Sequence, residues 1–127
     1  MLLKSLIASA ALAAMMLTAI EASAADVEVK CEKRSNRSRA SVDGSDLTRG
    51  MYRAVLKSGG KVVRTQFESS VGDEAQFDFD SNPNDIADGA TAIPPNFIVD
   101  GRVKGYLVNE NRQRVTPIVT AICRIRR

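Results

Sequence analysis

Ala75-Gln76-Phe77-Asp78-Phe79-Asp80 alternates apolar and polar side chains without a break. A period of two marks a strand with one face in a core and one in solvent, because successive side chains on an extended backbone point to opposite sides. Ala75, Phe77 and Phe79 are therefore expected inside, and Gln76, Asp78 and Asp80 outside. The same period recurs upstream, with Val27, Val29 and Cys31 set against Glu28, Lys30 and Glu32. Beyond a polar turn at Ser35-Asn36-Arg37, Ala40 and Val42 face inward in a short strand ended by Asp43-Gly44. Tyr52, Ala54 and Leu56 share a face in Gly50 to Ser58, and Val63, Thr65 and Phe67 do so in Val62 to Ser69. Between these last two, Ser58-Gly59-Gly60-Lys61 reads as a tight hairpin turn.

Downstream the pattern breaks for one helical turn, Pro83 to Asp88. Asn82 can cap it, Pro83 suits the first helical position, Asp85 lies in the first turn, and Gly89 falls where a helix stops. Phe97 to Val99 and Arg102 to Val108 flank Asp100-Gly101, a strong hairpin signal. A turn from Asn109 to Gln113 then leads to a last strand, Val115 to Arg126, with Val119, Ala121, Cys123 and Ile125 on one face. Ile118 and Ile122 make the other face apolar too, which predicts cover on both sides for part of its length. Pro117 has no N–H to donate and belongs at an edge or bulge. About eight short strands with turn chemistry between them predict an all-β fold, an antiparallel β-sandwich, with a small closed barrel as the alternative.

The chain has 127 residues, of which 44% are hydrophobic and 26% charged. That suits one globular domain, residues 25–127, behind a removable segment. Met1 to Ala24 carries one lysine, Lys4, then an apolar run from Leu6 to Ile20, and ends in Ala22-Ser23-Ala24. This is the pattern of a secretory signal peptide, too short to span a bilayer, and it predicts a periplasmic or secreted protein with no transmembrane span in the mature chain. In an oxidising compartment Cys31 and Cys123, the only cysteines, are expected to join and tie the first strand to the last. They do not form a Cys-x-x-Cys pair, so the bond is structural rather than redox-active.

The chemistry open to the chain is narrow. It has no histidine, which excludes serine–histidine triads, cysteine–histidine dyads and ordinary zinc sites. Carboxylates alone could hydrolyse glycosides, but sugar subsites normally use aromatic platforms, and the chain has no tryptophan and 5% aromatics. No catalytic residue and no cofactor are expected.

Charge is unevenly spread. From Gln66 to Asp100 the chain carries Glu68, Asp73, Glu74, Asp78, Asp80, Asp85, Asp88 and Asp100 but no lysine or arginine, while its net charge is +3. Within that stretch Asp80, Asn82, Asn84 and Asp85 place oxygens at close spacing and form a candidate calcium loop. It is not an EF-hand, since Pro83 stands where glycine is required and no glutamate closes the ring, and a capped turn is the preferred reading. Basic residues cluster at both ends, with Lys30, Lys33, Arg34, Arg37 and Arg39 near the first strand and Arg124, Arg126 and Arg127 at the last. The expected disulfide gathers them. Lys30, Lys33, Arg34, Arg124 and Arg126 thus form a candidate binding edge for an anionic macromolecule such as lipopolysaccharide or acidic polysaccharide. Few stacking aromatics argue against nucleic acid. The competing reading is a solvated face that discourages pairing between strand edges.

With Cys31 and Cys123 at its ends and the phrases Val71-Gly72-Asp73-Glu74-Ala75 and Pro95-Asn96-Phe97-Ile98, residues 25–127 resemble small exported bacterial proteins of uncharacterised function. The resemblance implies export and the disulfide, and carries over no site residue. The leading expectation is a non-enzymatic exported binding or structural module. A small secreted protease inhibitor, inserting Ala92 to Phe97 or Asp43 to Gly50 into an enzyme cleft, is one alternative. A calcium-dependent module is another.

Overall fold

The computed structural model describes residues 25–127, and the expected signal peptide, Met1 to Ala24, lies outside the described residues. In chain order the elements are β1 (Asp26–Arg34), β2 (Arg37–Ser45), β3 (Met51–Ser58), β4 (Lys61–Arg64), β5 (Glu68–Ser69), β6 (Ala75–Asp80), α1 (Pro83–Ala87), β7 (Thr91–Ala92), β8 (Arg102–Asn109), β9 (Val119–Ile122) and β10 (Arg124–Ile125). They form two five-stranded sheets, the first ordered β10-β1-β2-β6-β7 and the second β4-β3-β8-β9, with β5 also paired to β3. Neither closes on itself, so the closed barrel is not the architecture.

The alternation correctly orients the strands. Val27, Val29, Ala40, Val42, Phe77 and Phe79 of the first sheet and Tyr52, Ala54, Leu56 and Leu107 of the second share one buried cluster. The glycine pair between β3 and β4 makes the expected tight turn, with φ of 55° at Gly59 and 81° at Gly60, values that an L side chain resists. Asn82 caps α1, its side chain accepting the Asn84 N–H at 2.9 Å, and Pro83 opens the helix as expected.

Several boundaries differ from expectation, each for a local reason. Asp43-Gly44 does not end β2; Gly44 pairs with both Val27 and Ala75 inside the sheet. A side chain there would overlap Leu107 Cδ1, so this glycine serves close approach of the two sheets rather than a turn. Opposite, a Cβ on Gly105 would stand 2.9 Å from Val29 Cγ2 and 3.0 Å from Val42 Cγ2. Val62 to Ser69 splits into β4 and β5 because Thr65 turns its hydroxyl to the backbone, accepting the Ala54 N–H at 3.0 Å and donating to the Gln66 carbonyl at 2.9 Å. Phe97 to Val99 is not a ladder strand. Phe97 and Ile98 are buried, but the Val99 N–H donates to Ser58 Oγ at 2.8 Å, and only an isolated bridge joins Val99 to Arg102. Beside Pro117, Thr116 Oγ1 likewise accepts the Leu107 N–H at 3.0 Å, ahead of the start of β9.

The last expected strand divides at Cys123. β9 pairs antiparallel with β8 in the second sheet, whereas β10 pairs parallel with β1 in the first. Cover on both faces is not found: Ile118 is 51% and Ile122 81% exposed, and Ile125, expected inside, is exposed because β10 has left the second sheet. Cys31 and Cys123 are joined where the chain crosses, with their Cα atoms 4.6 Å apart. Serine at either position is expected to cost about 2 to 4 kcal/mol in urea unfolding. Thiol titration of the denatured, unreduced protein checks the bond, and two free thiols per chain would refute it.

Candidate functional site

The pairing of β1 with β10 brings the two chain ends side by side, with Arg124 opposite Glu32. Alternation, however, sets carboxylates between the cations. Lys30 Nζ lies 3.2 Å from Glu28 Oε1, Arg34 Nε 2.9 Å from Glu32 Oε1, and Arg126 Nε 3.5 Å from Glu32 Oε2. The hydrogen bond from Arg34 holds the Glu32 carboxyl below its ordinary pKa against the opposing effect of burial, and the charges of Arg34, Arg126 and Arg39 add to it. Lys33 falls in register on the face of Cys31, away from the other cations, and donates to the Arg34 carbonyl. Arg124 makes no ion pair among the described residues. Glu28 and Glu32 thus offset two of the five positive charges of the edge.

The acidic loop holds a cation of its own. Arg37 lies in β2 rather than in a turn; its Nε donates to Asp80 Oδ1 at 2.9 Å, and its Nη2 to Asp80 Oδ2 at 2.7 Å and Asp85 Oδ2 at 2.9 Å. Asp80 was expected exposed and is only 4% so, because Arg37 and the turn into α1 cover it. Burial alone would raise the Asp80 pKa. The Arg37 hydrogen bonds, the Asn82 and Ser81 N–H groups and the Arg37 charge outweigh it and hold the carboxyl below its ordinary value, while Asp80 raises the Arg37 pKa. Asn82 Oδ1 is occupied as the helix cap, and Asn84 contributes its N–H to that cap. Among the described residues no group of three or more acidic or cysteine side chains is arranged to hold a metal ion.

Between these features the outer face of the first sheet forms an open groove of about 720 Å³, whose lining includes Lys30, Glu32, Arg39, Gln76, Asp78 and Arg124. On the same face Asp43 stands directly across from Glu28 and near Asp78. Burial first, then Asp78 and Glu28, push its pKa up. A raised folded-state pKa gives stability that is complete below the unfolded value and lost as pH rises through the folded one, so the ionised Asp43 is a cost at neutral pH. Asp43→Asn is expected to stabilise the protein by a few tenths to about 1 kcal/mol at pH 7 and to lose that advantage below about pH 4. Urea melts at both pH values check this, and equal effects would contradict it.

The second sheet presents a different outer face. Inward Tyr52, Ala54 and Leu56 leave Arg53, Val55 and Lys57 of β3 on the outer side, where Val55 is nonetheless covered at 2% exposed, and the register aligns them with Arg64 of β4 and with Lys104 and Tyr106 of β8, two residues on from Arg102. Lys57 lies directly opposite Lys104, and Val62 and Thr120 extend the same row to either side. Lys57 Nζ sits 5.4 Å from the centre of the Tyr106 ring, and Arg53 stacks 4.3 Å from that of Phe67. Arg53, Lys57, Arg64, Arg102 and Lys104 share this face with no carboxylate, and none makes an ion pair among the described residues. Asp100 and Glu110 lie in the turns at the two ends of β8. Arg53, Lys57 and Arg64 were legible as outward positions of the alternation; the gathering of all five was not, since it depends on the pairing of β3, β4 and β8.

The two loops considered for protease inhibition are tied down. Ile93 and Phe97 are buried, and the carbonyls of Pro95 and Asn96 accept from Ser38 Oγ at 2.7 Å and Lys61 Nζ at 2.8 Å. In the other loop Asp43 to Ser45 belong to β2 and Leu47 is buried. Among the described residues no helix is long and apolar enough to cross a membrane. No family model, curated protein or solved structure matches the chain.

Proposed function

We propose that the protein is an exported, non-enzymatic binding module that holds an anionic macromolecule of the cell envelope against the outer face of the second sheet. The observation that carries this reading is the carboxylate-free set Arg53, Lys57, Arg64, Arg102 and Lys104. Like charges directly opposed across two strands, as Lys57 and Lys104 are, destabilise a sheet by roughly 0.2 to 1 kcal/mol, and no neighbouring acid offsets that here. A polyanion laid over the face supplies the missing countercharge. We read the two sheets as the layers of a sandwich, since their inner faces share one core, and such a scaffold keeps the cations in a fixed array. The disulfide supports an oxidising, extracytoplasmic location. The groove on the first sheet mixes carboxylates with cations, which makes it a poorer match for a polyanion than the carboxylate-free face.

Salt-gradient elution from an immobilised sulfated polysaccharide tests the reading. Lys57→Gln/Lys104→Gln is expected to elute at clearly lower salt than wild type, because the interaction is screened as the Debye length falls from about 10 Å at 0.1 M salt to about 3 Å at 1 M. Lys30→Gln/Arg124→Gln is expected to shift less. Failure of the wild type to bind at low salt would defeat the proposal, and a larger shift for the second pair would move the site to the terminal edge.

A further inference from the structure

Resting on that binding role, we infer that the anionic partner is a lipid surface. Charge alone does not distinguish a bilayer from a soluble polyanion, but the rim of the cationic face does. Val62 on β4 is 41% exposed, Ile122 on β9 is 81% exposed, and Ile118, just before β9, is 51% exposed. Val62 stands in the row of Lys57 and Lys104, and Ile122, on the edge strand β9, is the cross-strand partner of Arg102 and also borders the groove of the first sheet. Aliphatic side chains find no partner in a hydrated polysaccharide or on a phosphodiester backbone. At an anionic membrane they enter the boundary between headgroups and acyl chains while the neighbouring cations meet phosphates. A nucleic acid would call for open stacking rings, and the rings beside these cations, Tyr106 beneath Lys57 and Phe67 against Arg53, are part-covered.

The opposite side of the molecule fits the same orientation. Glu28, Asp43, Asp78 and Asp85 lie on or against the outer face of the first sheet among the cations Lys30, Arg39 and Arg124, so an anionic surface draws that mixed face less strongly than the carboxylate-free one. The protein then lies flat, second sheet down.

Co-sedimentation of the disulfide-bonded protein with vesicles decides the matter. Vesicles containing phosphatidylglycerol are expected to bind it, and vesicles of phosphatidylcholine alone are not. Lys57→Gln/Lys104→Gln should weaken vesicle binding about 30-fold, at about fivefold per cation. Ile122→Ser, at a position too exposed to threaten folding, should weaken vesicle binding at least about fivefold yet leave elution from the sulfated polysaccharide unchanged. Binding to the polysaccharide without binding to anionic vesicles would overturn the lipid assignment and leave the binding role standing. An Ile122→Ser protein that binds vesicles as wild type does would also overturn it. Binding to neither probe would remove both readings.

Discussion

Arg37→Ala is expected to destabilise the protein by about 3 to 5 kcal/mol, because it strands a buried carboxylate without its countercharge. Asp80 is 4% exposed and receives two of its hydrogen bonds from the Arg37 guanidinium. The same cation reaches Asp85 in α1, so the loss also frees the helix from β2. Acidity gives the prediction its second half. The depressed Asp80 pKa in the wild type means stability that is present above the ordinary carboxylate value of about 4 and lost as pH falls through the lower folded value. Without Arg37, burial dominates and Asp80 titrates upward, so the variant gains ground on the wild type as pH falls. Urea melts at pH 7 and near pH 3 measure both halves, and a gap that stays constant between them would refute the account.

Phe77→Ala should cost about 3 to 5 kcal/mol by emptying a core position that is 2% exposed. Its exposed neighbour Gln76 should accept alanine within about 0.5 kcal/mol. The two sit on opposite faces of β6, so paired denaturant melts examine the register itself: a Gln76→Ala protein weaker than Phe77→Ala would mean a slip of one residue.

Period-two patterning sufficed to orient Phe77, Phe79, Tyr52 and Leu56 because in these strands one face meets the core and nothing else competes for it. It failed where a side chain replaces a backbone partner. Ser38, Ser58, Thr65 and Thr116 are all buried, and each gives its hydroxyl to a backbone group where a ladder would otherwise continue. Read alone, such residues are indistinguishable from surface serines and threonines. Asp80 failed for a related reason: its outward position is correct, but the cover above it arrives from Arg37, 43 residues away. The terminal edge was legible as a cluster because a covalent bond implied its geometry. The carboxylates that partly offset it, Glu28 and Glu32, occupy the alternate outward positions of the same strand and were visible too, as outward residues though not as partners. The cationic face of the second sheet needed strand order, which no local pattern contains.

The crossing from β9 to β10 sets the order in which the protein can be finished. β1 is made early, yet its parallel partner and the disulfide that secures it come from a point 92 residues later. While the chain is being made, therefore, one edge of β1 stays open until the residues around Cys123 have followed, and a neighbouring chain at the same stage offers an equivalent segment. Pairing so distant in sequence is slow to find and leaves strand edges exposed meanwhile. The Cys31–Cys123 bond thus secures a closure that only the nearly complete chain can make. The alternating charges of Glu28, Lys30 and Glu32 lie along that waiting strand, where they disfavour adoption of the wrong partner.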